Sequence, residues 1–523
     1  MYFKVTIRFA QFIREVKTMV TKILMLVLFF GVMIGVGVYC RKHATDVSGF
    51  VLGGRNVGPW LTAFAYGTSY FSAVIFVGYA GQFGWKFGLA STWIGLGNAI
   101  IGSLLAWAIL GRRTRIMTQH LHSATMPDFF GTRFDSKGLK IFASLIVFIF
   151  LIPYTASLYN GLSRLFGMAF NIDYTVCIVA MAILTGVYVI VGGYMATAIN
   201  DFIQGIIMLV GIVAVIAAVL NSHGGFMASL NELANVTDPA VSDTPGVFNS
   251  FFGPDPFGLL CVVILTSLGT WGLPQMVQKF YAIKSEKSVQ TGTVISTIFA
   301  LIVAGGCYFL GGFGRISGVD VAGKGFDAII PGMIEKLSPF LISVVVILVL
   351  SASMSTLSSL VLTSSSTLTL DLIKGTIIKK PKDKTMVLIM RVFIVIFIAI
   401  SAVIAVIQYK NNVTFIAQLM GVSWGALAGA FLAPFIYSLY WKGVTKLAVV
   451  VNFIFGAGIM TANLFWRPSF PEVLQSPINC GAFAMLAGLV IVPVISVITP
   501  KLKKEKVEDV FSCYIKDEIP ADK

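Results

Sequence analysis

Apolar runs of about 20 residues return along the whole of this chain, and this repetition constrains its fold more than any other feature. A helix rises 1.5 Å per residue, so about 20 residues cross the roughly 30 Å of hydrocarbon in a bilayer. Thirteen runs stand out, at about 22–39, 58–83, 88–110, 139–168, 172–191, 198–220, 257–281, 290–314, 337–370, 386–409, 413–440, 445–465 and 479–499. Membrane strands need only about ten residues and alternate in polarity, so they do not produce runs of this length. With 57% hydrophobic and 12% charged residues, the chain carries about half the charge of a soluble domain. The expectation is an all-α integral membrane protein of about thirteen transmembrane helices. Residues 1–21 form an N-terminal extension, 22–499 the membrane domain and 500–523 a C-terminal tail.

A formal net charge of +15 would suit nucleic acid if it lined one face, but the Lys and Arg residues gather in alternate loops. The loops after segments 1, 3, 7, 9, 11 and 13 hold Arg41, Lys42 and Arg55; Arg112, Arg113, Arg115, Arg133, Lys137 and Lys140; Lys279, Lys284 and Lys287; Lys374, Lys379, Lys380, Lys382 and Lys384; Lys442 and Lys446; and Lys501, Lys503, Lys504 and Lys506. The positive-inside rule makes these faces cytoplasmic, with the N-terminus outside and the C-terminus inside a plasma membrane. No nucleic-acid partner is expected, only lipid and a small-molecule solute, and no obligate protein partner is evident. The basic stretch MYFKVTIRFAQFIREVK disagrees with an external position, unless translation begins at Met19.

The chemistry of an enzyme is missing from the sequence. Cys40, Cys177, Cys261, Cys307, Cys480 and Cys513 make no CxxC pair, and the four histidines form no constellation. Neither HExxH nor a P-loop is present. A sensor on a transporter scaffold would need an output domain, whereas only about 24 residues follow segment 13. A sodium-gated pore is the remaining rival of another class.

Two segments look interrupted. Segment 2 contains AFAYGTSYFSAV (63–74), and segment 7 contains TSLGTWGLPQ (266–275) with Gly269, Gly272 and Pro274. Gly and Pro are common in membrane helices, so each break alone says little. Their placement says more: they lie five segments apart, an odd number, so the two segments cross in opposite senses. Segments 2–6 and 7–11, about 58–220 and 257–440, then form two inverted five-helix repeats. Broken helices at matched places in inverted repeats are the build of secondary transporters.

Segment 9 carries LSASMSTLSSLVLTSSSTLTLD (350–371), where hydroxyls crowd an apolar run. Ser351, Ser358 and Ser365 recur every seven residues and suit a packing seam. A second stripe runs through Ala352, Ser355, Thr356, Ser359 and Thr363 at helical spacing. Hydroxyls are neutral, hard oxygen ligands; with carbonyls freed by the break in segment 2, they suit a small monovalent cation. Packing explains the spacing equally well at this point.

These residues resemble the sodium:solute symporter family over nearly the whole chain. Three stretches carry the likeness: GGRNVGPWLTAFAYGTSYFS (53–72), GGYMATAINDFIQG (192–205) and MSTLSS followed by SSSTLTLDL. The resemblance implies a leucine-transporter-type 5+5 inverted repeat with helices 2 and 7 broken, and Na⁺ as coupling ion. It puts a sodium site on the carbonyls of Thr68, Phe71 and Ala352 and the hydroxyls of Ser355 and Thr356. Asp201 matches an aspartate near the sodium exit path; its plainer explanation is a helix cap at the start of segment 6. A second sodium site between Asp201, Ser358 and Ser359 is left open. Ser69, Tyr154, Thr270, Trp271, Pro274 and Gln275 are the solute-site candidates, although Trp271 suits packing as well.

The polar signature of the sugar-transporting branch is absent, and GLPQMVQKFYAIKSEKSV (272–289) and IPYTASLYNGLSRLFG (152–167) look closer to the proline, pantothenate and monocarboxylate branch. Thr266, Thr270 and Val74 stand where proline transporters have aromatics, which puts proline itself in question. The expected activity is sodium-coupled import of a small organic solute, of the proline type, by alternating access; pantothenate or a monocarboxylate is the alternative. One Na⁺ crossing about 100 mV down a tenfold gradient supplies roughly 2.3 plus 1.4 kcal/mol. For a monoanion the voltage contribution cancels, which favours a neutral or zwitterionic solute.

Overall fold

A computed structural model describes residues 20, 23–170, 173–242, 244–374, 377–378, 382–411 and 416–516. The N-terminal extension, the start at Met19 and the end of the tail lie outside these residues. Among the described residues there is no strand beyond isolated bridges. Ten helices are long and apolar enough to cross a membrane, and a bent pair makes eleven. They are α1 (Ile23–His43), α3 (Val74–His120), α4 (Lys137–Gly167), α5 (Tyr174–Ser222), the pair α6 (Pro256–Gly272) and α7 (Pro274–Ala282), α8 (Glu286–Gly311), α9 (Pro339–Ile373), α10 (Asp383–Lys410), α11 (Ile416–Tyr440), α12 (Lys446–Phe465) and α13 (Pro477–Ile498). A shorter helix, α2 (Pro59–Tyr70), precedes α3.

The sequence divides into thirteen segments because α3 and α5 each hold more than one. Their 47 and 49 residues would span roughly 70 Å if straight, over twice the hydrocarbon thickness. Each turns at a glycine with positive φ: Gly88 (φ 63°, ψ −142°) and Gly193 (φ 56°, ψ −153°). A Cβ on Gly88 would sit 2.1 Å from the Phe248 carbonyl oxygen, and one on Gly193 2.9 Å from the Phe50 ring. Both the dihedral and the close approach therefore require glycine.

Both expected breaks are present. The helix α2 stops at Tyr70, Phe71 is extended (φ −80°, ψ 122°), and helix resumes after Ser72. Between α6 and α7 the chain bends by 44°, with Leu273 extended and Pro274 opening the new helix, where its missing N–H costs nothing.

Burial sorts the helices. α11 and α9 lie inside, with 94% and 72% of their apolar windows buried, whereas α1 reaches only 22%. α9 packs against α5, α4, α10 and α2; α11 packs against α13, α12, α4 and α6. Thus the hydroxyl-rich helix faces the first break, and α11 faces the second.

Ion pairs and caps close the two ends. In the 221–256 connection a short helix (Phe226–Ala234) precedes Phe248, over which the Arg315 guanidinium sits at 3.8 Å while bonding Asp238 at 2.9 Å. The Asp238 carboxyl is held below the usual carboxylate range by that hydrogen bond. At the other end Lys140 pairs with Asp128 (2.7 Å) and Asp371 (3.3 Å), and Thr125 donates to Asp371 at 2.6 Å.

Candidate ion and solute site

Five oxygens meet where α9 crosses the end of α2. The Thr356 hydroxyl lies 3.0, 3.2 and 3.1 Å from the carbonyls of Thr68, Phe71 and Ala352. The Ser355 hydroxyl lies 3.2 Å from Thr68 O and 3.1 Å from Ala352 O, and 2.9 Å from Ser351 O one turn back along α9. Two protons face four carbonyls, Ser351 O among them, so lone pairs outnumber donors. All five residues are buried. The Phe71 carbonyl is available because the unwinding after Tyr70 removes its helical partner. Neutral oxygens in excess of donors, drawn from a broken backbone and two hydroxyls, fit a hard monovalent cation.

Of the six residues expected at the ion, the sixth stands apart. Asp201 is fully buried, and neither carboxylate oxygen has a hydrogen-bond partner. The capping explanation fails, because α5 runs unbroken through Asn200 and Asp201 and the interruption lies back at Gly193. Lys279 is the opposite charge that acts on Asp201, without an ion-pair contact between them. The sequence puts this lysine in a cytoplasmic loop, yet it lies within α7 and is 3% exposed. Its ammonium donates to Ser359 Oγ at 3.0 Å and lies over the Tyr194 ring at 5.2 Å. Ser359 in turn meets Ser69 Oγ at 2.8 Å. Sequence reasoning missed Lys279, though a lone lysine inside the apolar run 257–281 was a usable signal. Ser358 bonds back to the Ser355 carbonyl at 2.8 Å.

A group of aromatic side chains borders the same break. Tyr70 and Tyr154 approach the Trp424 ring at 5.6 and 5.9 Å, the latter edge-on. Tyr154 lies against Ser72, and Tyr308 against Tyr70. The Trp424 indole N–H is buried without a protein hydrogen-bond partner, and the hydroxyls of Tyr70, Ser72, Tyr154 and Tyr308 lie near one another without a well-formed hydrogen bond. Buried polar groups are normally well bonded, so this lining suits a polar ligand.

The remaining solute candidates divide. Gln275, just past the second break, is buried with both amide atoms unbonded. Thr270 donates to Gly102 O (3.0 Å) or Ser267 O (2.9 Å), and the Trp271 indole to Ile101 O (2.9 Å), so both tie α6 to α3. Pro274 makes the break itself, and Ser69 belongs to the Lys279 network. Tyr70, Tyr308 and Trp424 had no sequence signal; they converge from α2, α8 and α11 through packing. Gly269 makes room for Trp424, since a Cβ there would lie 3.0 Å from the ring.

Paired helix breaks around an oxygen-lined ion position define a cation-coupled secondary transporter. The sequence model of the sodium:solute symporter family matches residues 50–456, and the chain belongs to that family. Na⁺ is accordingly its coupling ion. A curated relative from Staphylococcus aureus, the sodium/proline symporter, is 28% identical over 493 residues, covering 92% of this chain and 93% of its own. The solved structure of a Na⁺-coupled sialic acid symporter superposes with a TM-score of 0.71 at 17% identity, over 92% of this chain and 99% of that one. A manganese transporter from Eremococcus coleocola gives 0.51 at 11% identity, over 87% and 95%. The fold is the leucine-transporter type.

Proposed function

We propose that the protein imports a small zwitterionic solute of the proline type together with one Na⁺, by alternating access. One observation carries this reading: a single stretch at the end of α2, residues 70–72, borders both candidate positions. The Phe71 carbonyl points at the oxygen cradle, while Tyr70 and Ser72 border the aromatic group. Either ligand orders this stretch and so prepares it for the other, which is positive coupling. Aromatic faces attract a cationic nitrogen, and apolar rings fit an apolar solute body. The relatives named as sodium/proline symporters agree with this chemistry. A single mobile Na⁺ is supported by Lys279, whose ammonium bonds Ser359 and so occupies a hydroxyl that a second ion would need. The basic loops set the orientation, with the N-terminus outside and the C-terminus in the cytoplasm.

The test is uptake into proteoliposomes with an imposed Na⁺ gradient. Proline or a close analogue accumulates and carries inward current, whereas a monocarboxylate carried in one-for-one with Na⁺ would carry none. Accumulation without current would favour the monocarboxylate, and equilibration without accumulation would favour a sodium-gated pore.

A further inference from the structure

Two cavities open at the end of the bundle where the basic loops gather, and their charge differs. One, of about 640 Å³, is balanced: Asp46, Asp128 and Asp383 face Arg55, Lys140 and Lys374. The other, of about 800 Å³, is lined by Arg41 and Lys42 from the end of α1 and by Lys384 and Arg391 from the start of α10, with no carboxylate among its lining residues. None of these four cations is in an ion pair among the described residues. Arg391 is steadied by its bond to Ile190 O (2.9 Å), which leaves the other guanidinium nitrogens to serve a ligand.

The cavity continues into apolar surface. Val38 and Leu388 line it and are 60% and 59% exposed, and Val392 and Val395 extend the Leu388 stripe along α10 at i+4 and i+7. In a membrane-spanning chain, large exposed aliphatic side chains on one helix face meet acyl chains. A cationic recess at the polar edge, with an aliphatic track leading away from it, matches the two halves of an acidic phospholipid. Arginine binds phosphate through paired N–H donors, lysine as a point charge. Basic residues near an anionic leaflet are attracted to it, and the attractions add.

We infer that this cavity binds the phosphodiester headgroup of an acidic phospholipid, with its acyl chains laid along α10. The bound lipid joins α1, the least buried of the spanning helices, to the transport core. This site is independent of the ion and solute positions, so its failure would leave the transport reading untouched.

The experiment measures thermal unfolding of the full chain in detergent with dioleoyl phosphatidylglycerol, dioleoyl phosphatidylcholine or inorganic phosphate. Phosphatidylglycerol is expected to raise the melting temperature by about 3 °C at saturation, with little effect from the other two. The shift should vanish in Lys42→Gln with Lys384→Gln, and persist in a charge-matched control, Lys446→Gln with Lys503→Gln. Native mass spectrometry of the same samples should find one phosphatidylglycerol retained by the native chain and by the control, and none by the cavity variant. Equal shifts from both lipids, or an undiminished shift in the cavity variant, would overturn the inference. A shift from inorganic phosphate alone would also overturn it, by making the cavity a site for a soluble anion.

Discussion

One turn of α9 separates two ways of placing positive charge among hydroxyls. At Ser355 and Thr356 the oxygens converge with no cation of the protein's own, and three of the five come from backbone that a break or a helical turn presents. At Ser359 the hydroxyl meets Lys279, whose charge faces the buried Asp201. The first arrangement has neutral oxygens and lacks charge, which suits an ion taken from solution and released again. The second already holds a lysine ammonium against its hydroxyl, so its cation belongs to the chain and is permanent. Hydroxyl content alone does not make an ion site; what decides is whether the protein supplies the charge.

The largest effect expected from breaking this contrast is at the permanent cation. Lys279→Gln strands Asp201 as an uncompensated buried charge, and the fold should lose about 3–5 kcal/mol in thermal or denaturant unfolding. Adding Asp201→Asn should recover most of that loss. Failure of the second change to rescue would show that the two do not compensate each other.

At the exchangeable site, Ser355→Ala with Thr356→Ala removes both side-chain ligands. The sodium concentration giving half-maximal uptake should rise roughly 100-fold, as two hydrogen-bond-strength contacts are lost. Native protein should show a Hill coefficient for sodium of about one; a value near two would mean that a second ion binds despite Lys279.

Trp424→Leu should raise the solute concentration for half-maximal uptake about tenfold through loss of the aromatic face, while direct Na⁺ binding in the absence of solute changes little. The smallest change is expected at Ser365→Ala. Its hydroxyl only bonds back to the Leu362 carbonyl at 3.1 Å, so uptake and stability should stay within about 0.5 kcal/mol of native. A large loss there would contradict the division of the α9 hydroxyls into ligands and seam.

Much of the architecture was legible in the chain because the bilayer imposes a length on every apolar run. The second break announced itself through Gly272 and Pro274, the first only as a stretch of small and hydroxyl residues, since Gly67 lies inside α2 and the chain unwinds at Phe71 and Ser72. The i, i+3, i+4 spacing of Ala352, Ser355 and Thr356 put three candidate ligands on one helical face. The continuity of α5 was less legible: GGY looked like a boundary, yet only Gly193 bends there, and Asp201 falls inside the helix instead of capping it. Lys279 was counted with the loop because charge was tallied by position along the chain, which carries no information about burial.

The sequence by itself determined that this chain crosses the membrane as helices, where two of them break, and which oxygens on α9 share a face. Those properties follow from local composition and helical period. Tertiary structure alone decided which charge meets which. Lys279 of α7 meets Ser359 of α9 and the Tyr194 ring of α5 within reach of Asp201, and the group of Tyr70, Tyr154, Tyr308 and Trp424 joins four helices. Such meetings depend on how distant helices pack, and no local pattern records them.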